Sequence, residues 1–147
     1  MFRNRKVRRG FSLIELLVVL VILALLVGLV APKFLKQAEK GQTGAAKTQI
    51  GNFKTAIELY RVDHNGQPPA DLQDLITAPS SSSSEGGGQW KGPYLNDVTS
   101  VPLDPWQNPY VYNVPGPNGA DYEIMSYGSD GREGGTGTAE DLSSIRK

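Results

Sequence analysis

The sequence predicts an α+β protein in which one long N-terminal helix packs on a small C-terminal antiparallel β-sheet. Three observations support this fold class. An apolar run fills residues 11–31, an amphipathic helical pattern follows between residues 46 and 60, and two alternating segments near the C-terminus flank a turn rich in proline and glycine. The length of 147 residues corresponds to about one domain.

The apolar run at residues 11–31 predicts a transmembrane helix. Glu15 is its only ionisable residue, and a helix of this length spans roughly 30 Å, the thickness of a bilayer core. The basic arm at residues 1–10 predicts a cytoplasmic N-terminus, although three lysines between 33 and 40 weaken the asymmetry. A cleaved secretory signal is the alternative. Its apolar core is usually shorter, and the end of this run, Leu29-Val30-Ala31-Pro32, is a poor cleavage site.

The same helix is predicted to continue to residue 64. Pro32 predicts a kink or local unwinding, because proline lacks the amide hydrogen that the helix needs. Beyond it, apolar side chains recur every three or four residues and predict a stripe that contacts a sheet: Ala46, Ile50, Phe53, Ile57 and Tyr60. Asn65-Gly66 predicts the helix end. We expect His64, the only histidine, to lie on the surface there.

The C-terminal region, residues 65–147, predicts a two-stranded antiparallel sheet. Residues 109–114 and 121–127 alternate as strands do, and the Pro-Gly-rich segment 115–119 supplies the turn between them. We expect Trp90 and Trp106 to cover the core between helix and sheet.

Two further segments precede the strands. Residues 70–77 predict a short helix after Pro68-Pro69. The Ser- and Gly-rich segment Ser80–Gly88 predicts a loop, either a tolerated insertion or a contact with partner proteins.

Charge and composition exclude several functions. The formal net charge is zero, but the basic arm leaves the rest of the chain acidic. Because a nucleic-acid-binding protein needs its basic patch on the folded part, we expect no nucleic-acid partner. The chain has no cysteine, which excludes disulfides, zinc–thiolate sites and a thiol nucleophile.

Residues 128–142 form an acidic, glycine-rich loop with two open interpretations. It contains Asp130, Glu133, Glu140 and Asp141 among glycines, with almost no apolar side chain. One interpretation is a flexible, solvated loop, since the spacing does not match an EF-hand. The other is a calcium site, because calcium takes six to eight oxygen ligands and glycines allow backbone carbonyls to turn inward.

Several stretches resemble a known family. A basic arm followed by "GFSLIEL" and an apolar helix resembles a prepilin-type signal. The stretches "FKTAIELYRVDHNGQPP", "LDPWQNPYVYNVPG" and "DYEIMSYGSDGREGG" resemble the major pseudopilins of type II secretion systems, within the type IV pilin-like superfamily. Gln107 departs from the small residue that is usual after the tryptophan.

The resemblance implies specific roles for individual residues. A prepilin peptidase would cleave between Gly10 and Phe11 on the cytoplasmic side, and Phe11 would be N-methylated. Glu15 would pair with the new N-terminal amine of a neighbouring subunit; a carboxylate that merely reaches the membrane interface is the alternative. The resemblance also implies calcium bound by Asp130 and Asp141. The further ligands it suggests are the side chain of Glu140 and the backbone oxygens of Tyr127, Ser129 and Ser143.

The resemblance also implies an organisation and a function. Residues 1–10 would be the cleaved leader, 11–31 the transmembrane helix, 32–64 the periplasmic half of the long helix, and 65–147 the globular region. The chain would be the major subunit of a periplasmic pseudopilus, anchored once in the bacterial inner membrane, that drives export of folded proteins. Its partners would be copies of itself, minor pseudopilins, the inner-membrane platform, the peptidase and secreted exoproteins.

Three alternatives remain to be compared with this function. A type IV pilin or competence pilin subunit belongs to the same class, but the acidic glycine loop and the lack of cysteine argue against it. A membrane-anchored enzyme lacks support, since neither a G-x-S-x-G nor a zincin motif is present. A tethered binding module that never polymerises is the third alternative.

Overall fold

The computed structural model describes residues 10–79 and 90–145, apart from the side chains of Pro32 and Lys36. The predictions for the basic arm before Gly10 and for the segment Ser80–Gly88 lie outside these residues. The chain divides into two compact units, residues 1–38 and 39–147.

A single helix, α1, runs from Leu13 to Asp63. It begins where the Ser12 carbonyl accepts hydrogen bonds from the amides of Glu15 and Leu16, at 3.0 and 3.2 Å. The helix continues through position 32, so the local unwinding predicted there is wrong, and the alternative of a kink stays a prediction.

The described part of the first unit contains the apolar half of α1. Its large apolar side chains are exposed, as Leu25 and Leu29 illustrate at 71% each. The helix contains an 18-residue window with a mean hydropathy of 3.2, which is long and apolar enough to cross a membrane. An isolated helix with this surface requires an apolar environment, either lipid or other helices.

Helix α1 ends at Asp63, just before Asn65-Gly66, the pair that predicted its end. Asn65 and Gly66 adopt left-handed conformations with φ of 53° and 85°. The Gly66 amide donates to the Arg61 carbonyl at 2.8 Å, which satisfies one of the last helical carbonyls.

The predicted surface position of His64 is wrong, because its side chain is only 7% exposed. The imidazole stacks on Tyr60 with ring centroids 3.7 Å apart, and its Nδ1 donates to the Tyr60 carbonyl at 2.8 Å. Tyr94 lies edge-on to the same ring. The aromatic partner from a distant segment therefore covers a residue that the local pattern placed at a solvated helix end.

The sheet of the second unit has three strands, whereas the sequence predicted two. They are β1 (Val111–Asn113), β2 (Glu123–Ser126) and β3 (Leu142–Ser143), in the antiparallel order β1-β2-β3. Val111 pairs with Met125, and Met125 with Ser143. The third strand escaped prediction because two residues carry no alternating pattern.

The predicted apolar stripe of α1 forms the core with the sheet, which confirms the interpretation of its periodicity. Phe53 and Ile57 are fully buried, and Phe53 meets Tyr110 edge-on with ring centroids 5.1 Å apart. Ile124 of β2 is also fully buried. Trp90 and Trp106 pack against this core while partly exposed, as expected.

The helix predicted at residues 70–77 is shorter and of another type. A single 3₁₀ turn spans Leu72–Leu75. Asp71 caps it by accepting from the Gln73 amide at 2.8 Å, and Asp74 accepts from the Asp71 amide at 3.1 Å. The reciprocal cap stabilises this one turn, and Leu72 and Leu75 anchor it in the core.

Candidate functional site

The residues predicted to act in processing and assembly lie at the start of α1. Gly10 and Phe11 precede the helix, and Phe11 is 73% exposed. Glu15 lies exposed in the first helical turn. A Cβ added to Gly10 would meet no atom within 4 Å, and Gly10 has no left-handed backbone. The described residues therefore give no conformational reason for glycine at position 10.

The acidic loop lies in the second unit and consists of two arms that approach each other closely. The first arm contains the 3₁₀ turn Gly128–Asp130, and the second arm contains the 3₁₀ turn Gly137–Ala139. Between the arms, Ser129 Oγ donates to Thr138 Oγ1 at 3.3 Å. Gly128 has φ of +64°, and a Cβ there would lie 2.6 Å from the Thr138 carbonyl oxygen. The close approach of the two arms requires glycine at this position.

Gly135 shows the same requirement in the second arm. Its φ is +90°, and a Cβ there would overlap the carbonyl oxygen of Ala139. The second arm is therefore folded closely on itself, and a side chain at position 135 would collide with the backbone of Ala139.

The two aspartates predicted as calcium ligands differ in their surroundings. Asp130 is exposed, and its Oδ1 accepts from the Arg132 amide at 3.2 Å. Asp141 is half-buried, and its Oδ2 accepts from the Gly134 amide at 2.9 Å. Among the residues that the structure describes, Asp141 Oδ1 is buried without a hydrogen-bond partner. A buried carboxylate oxygen of this kind needs a donor or a cation.

The loop offers carboxylate and backbone oxygens, which are the ligand types that a hard cation such as calcium takes. In the described part of the chain, no three His, Cys, Asp or Glu side chains group so as to hold a metal. Carboxylates alone would therefore not complete a site, and backbone oxygens, which calcium accepts alongside carboxylates, would have to supply further ligands. Tyr127 and Ser129 lie in the first arm, Glu140 is exposed beside Asp141, and Ser143 lies in β3. The orphaned oxygen of Asp141 is the feature that favours a bound cation.

A cleft of about 640 Å³ separates the second arm from α1. Lys47 and Lys54 line one wall, and Gly135, Glu140 and Asp141 line the other. The polar and charged side chains of Lys47, Lys54, Glu140 and Asp141 thus face the same cleft.

Near this cleft the C-terminal segment has polar ties to the rest of the unit. Lys54 Nζ donates to the carbonyl of Ser144 at 3.2 Å. The amide of Ser144 donates to the Ile124 carbonyl, and the Ile124 amide donates to Ser144 Oγ. The segment after β3 is therefore held by hydrogen bonds to both the helix and the sheet.

Sequence reasoning missed a buried polar network beneath the first arm. Asp104 is 1% exposed. Its Oδ1 accepts from the amides of Trp106 and Asn108 at 3.0 and 2.8 Å, and its Oδ2 accepts from Ser126 Oγ at 2.7 Å. The Asp-Pro pair within "LDPWQNP" was the available signal, since an aspartate there often accepts hydrogen bonds from the amides that follow it.

A second polar group joins the end of α1 to the segment before the strands. Asp63 Oδ1 pairs with Lys91 Nζ at 2.9 Å, and Asp63 Oδ2 accepts from the Tyr94 hydroxyl at 3.0 Å. The hydrogen bond from Lys91 holds the pKa of Asp63 below its usual value, and that of Lys91 is correspondingly raised. This network lies at the surface and holds two chain segments together.

The comparisons with known proteins agree with this arrangement. Residues 5–31 match the prokaryotic N-terminal methylation motif. With a long apolar helix and a small α+β unit, this motif defines the class of pilin-like proteins. Residues 33–145 match the model of type II secretion system protein G, and the chain belongs to that family.

The similar proteins extend over nearly the whole chain. The type II secretion system core protein G of Vibrio cholerae is 36% identical over 142 residues, covering 94% of this chain and 93% of that protein. The corresponding protein of Pseudomonas aeruginosa is 33% identical over 141 residues, covering 95% and 96%. A crystal structure of the major pseudopilin from enterohaemorrhagic Escherichia coli superposes with a TM-score of 0.56 at 22% identity, covering 74% of this chain and 90% of that chain. These findings confirm the predicted family and fold class.

Proposed function

We propose that the chain is the major structural subunit of a type II secretion pseudopilus, which polymerises after its leader is cleaved and drives export of folded proteins. The full-length similarity to core protein G carries this proposal. The relatives' names do not favour the alternative of a type IV or competence pilin. We assign the chain no catalytic step.

The first unit suits a subunit that exchanges lipid for neighbouring helices. Its apolar side chains are exposed along the helix, and the motif match begins in the basic arm. The subunit would be anchored in the inner membrane with the second unit in the periplasm. Its partners would be copies of itself, minor pseudopilins, the secretion platform, the prepilin peptidase and secreted exoproteins.

Cleavage between Gly10 and Phe11 would make assembly conditional on processing. The described residues give no conformational reason for glycine at position 10, whereas recognition by the peptidase would give one. The cut would create a charged amine on Phe11. Glu15 of a neighbouring subunit would pair with it, since opposite charges in a low-dielectric environment attract strongly and offset each other's desolvation.

The test is filament assembly by Glu15→Gln, which removes the charge and keeps the shape. We expect the variant to be cleaved and inserted normally but to form no pseudopili on overexpression. Glu39→Gln is the matched control, because Glu39 is an exposed acid further along the same helix. Normal filaments from Glu15→Gln would disprove the ion pair, whereas an absence of filaments from the parent chain would disprove the subunit assignment.

We propose further that the acidic loop binds calcium through Asp130 and Asp141, with Glu140 and the backbone oxygens of Tyr127, Ser129 and Ser143 as additional ligands. The cation would tie the two arms together in a unit without disulfides. The orphaned Asp141 oxygen and the glycine-dependent approach of the arms support this site.

Thermal denaturation with calcium, magnesium or chelator tests the site. A free cation concentration of 100 times the dissociation constant stabilises the folded state by about 2.7 kcal/mol. We expect calcium to raise the melting temperature of the parent chain and of Glu133→Gln, an exposed acid of the same loop. Asp141→Asn should abolish the shift. An unchanged melting temperature of the parent at millimolar calcium would leave only a solvated loop.

A further inference from the structure

The buried carboxylate of Asp104 is tied to the first arm of the acidic loop. Its three hydrogen-bond donors are two backbone amides and the hydroxyl of Ser126. Ser126 Oγ in turn accepts from the amide of Gly128 at 3.3 Å. A first route of two hydrogen bonds, through Ser126 Oγ, therefore connects Asp104 to the N–H of Gly128.

A second route reaches the same residue from the other side. The backbone amide of Asn108 donates to Asp104 Oδ1, and the side-chain Nδ2 of Asn108 donates to the carbonyl of Gly128 at 2.8 Å. Gly131 lies against the same side chain, since a Cβ there would be 2.9 Å from Asn108 Oδ1, and its φ is +63°. Both polar groups of Gly128 are thus tied to a network anchored on a carboxylate that is 1% exposed.

The position of Gly128 gives this network a consequence for cation binding. Gly128 lies between Tyr127 and Ser129, whose carbonyl oxygens belong to the proposed ligands, and two residues before Asp130. Because its own carbonyl is used by Asn108, that oxygen is turned toward the network. These hydrogen bonds hold Gly128 without using any of the proposed ligand atoms.

We infer that Asp104 and Asn108 are positioning residues for the cation site, which order the first arm without touching the ion. The inference rests on the proposed calcium site. Ordering a ligand arm during folding removes that entropic cost from the binding step, so a preorganised arm binds its cation more tightly. Loss of the network should therefore weaken calcium binding even though every ligand remains in the chain.

The experiment measures calcium affinity by titration calorimetry on the full chain in detergent. Asn108→Ala removes the bond to the Gly128 carbonyl, and Ser126→Ala independently removes the route to the Gly128 amide. We expect each variant to bind calcium at least tenfold more weakly than the parent. Hydrogen exchange at residues 128–130 should also be faster than in the parent in calcium-free buffer.

Tyr112→Phe is the control for general destabilisation. Its hydroxyl donates to the Pro69 carbonyl at 2.9 Å, away from the loop. We expect a lower melting temperature for this variant in chelator but a calcium affinity within twofold of the parent. An equal loss of affinity in Tyr112→Phe and Asn108→Ala would show that stability, not positioning, is responsible.

The remaining outcomes separate the two proposals. A parent chain that binds no calcium overturns both the cation site and the positioning role. A parent that binds calcium while Asn108→Ala and Ser126→Ala bind equally well overturns the positioning role alone. Should Asn108→Ala fail to fold, Ser126→Ala decides the question by the same measurement.

Discussion

Removal of the side-chain hydroxyl should increase the stability of the fold at Tyr110 and decrease it at Tyr112. Tyr110 is 8% exposed, and its hydroxyl is buried without a hydrogen-bond partner among the described residues. Burial, and secondarily the charge of Asp104, raises the pKa of Tyr110 to about 12. Tyr112, in contrast, donates its hydroxyl hydrogen to the carbonyl of Pro69. Replacing either residue by phenylalanine keeps the ring and removes the hydroxyl.

The expected magnitudes follow from these surroundings. An unsatisfied buried polar group costs about 1–3 kcal/mol, so Tyr110→Phe should stabilise the fold by about 1 kcal/mol. Tyr112→Phe loses a hydrogen bond and leaves the Pro69 carbonyl unpaired, which should cost about 1–2 kcal/mol. The two variants should thus differ by about 2–3 kcal/mol. For a unit of this size the difference corresponds to roughly 10 °C in melting temperature.

Thermal denaturation of the full chain in detergent and chelator, followed by circular dichroism, measures this difference. The edge-on contact of Tyr110 with Phe53 is retained in Tyr110→Phe, so the hydroxyl alone is tested. A destabilisation of 1 kcal/mol or more in Tyr110→Phe would refute the reasoning. It would show that the hydroxyl is hydrogen-bonded in the native protein, for example by a buried water.

Two further predictions concern the core and the end of α1. Phe53→Ala should lower the free energy of unfolding by about 3–5 kcal/mol in chemical denaturation, because Phe53 is fully buried against the sheet. Leu59→Ala, at a helical position that is 54% exposed, should lower it by less than about 1 kcal/mol. Similar losses of stability in the two variants would contradict the assigned core. Because hydrogen bonding from Lys91 lowers the pKa of Asp63, the stabilisation from this pair is present above about pH 4 and disappears as the pH falls below it. The melting temperatures of the parent and Asp63→Asn should accordingly converge in acid, and a constant difference from pH 7 to pH 3 would count against the pair.

The main helix and its two faces were predictable because they depend on local, periodic patterns. The apolar residues 11–31 and the stripe that includes Phe53 and Ile57 repeat with the period of a helix, and Asn65-Gly66 marks its end. Both strands were found, but each predicted segment begins two residues too early and ends one residue too late, because alternation indicates a strand but not where its pairing stops.

The candidate site was predictable only in part. The residue types in the acidic loop were compatible with both a solvated loop and a calcium site, and the calcium ligands came from the family resemblance. The orphaned oxygen of Asp141 and the close approach at Gly128 arise from contacts between the arms, and no spacing rule gives them.

By itself, the sequence determined the membrane-length helix, its buried face, the family and the chemical character of the loop, since each depends on neighbouring residues or on a recognisable motif. Only the tertiary structure decided the third strand, the burial of His64 and the network of Asp104. These features join segments far apart in the chain, as Asn108 and Gly128 do across 20 residues. A side chain acquires such a role only when folding brings its partner within hydrogen-bonding distance.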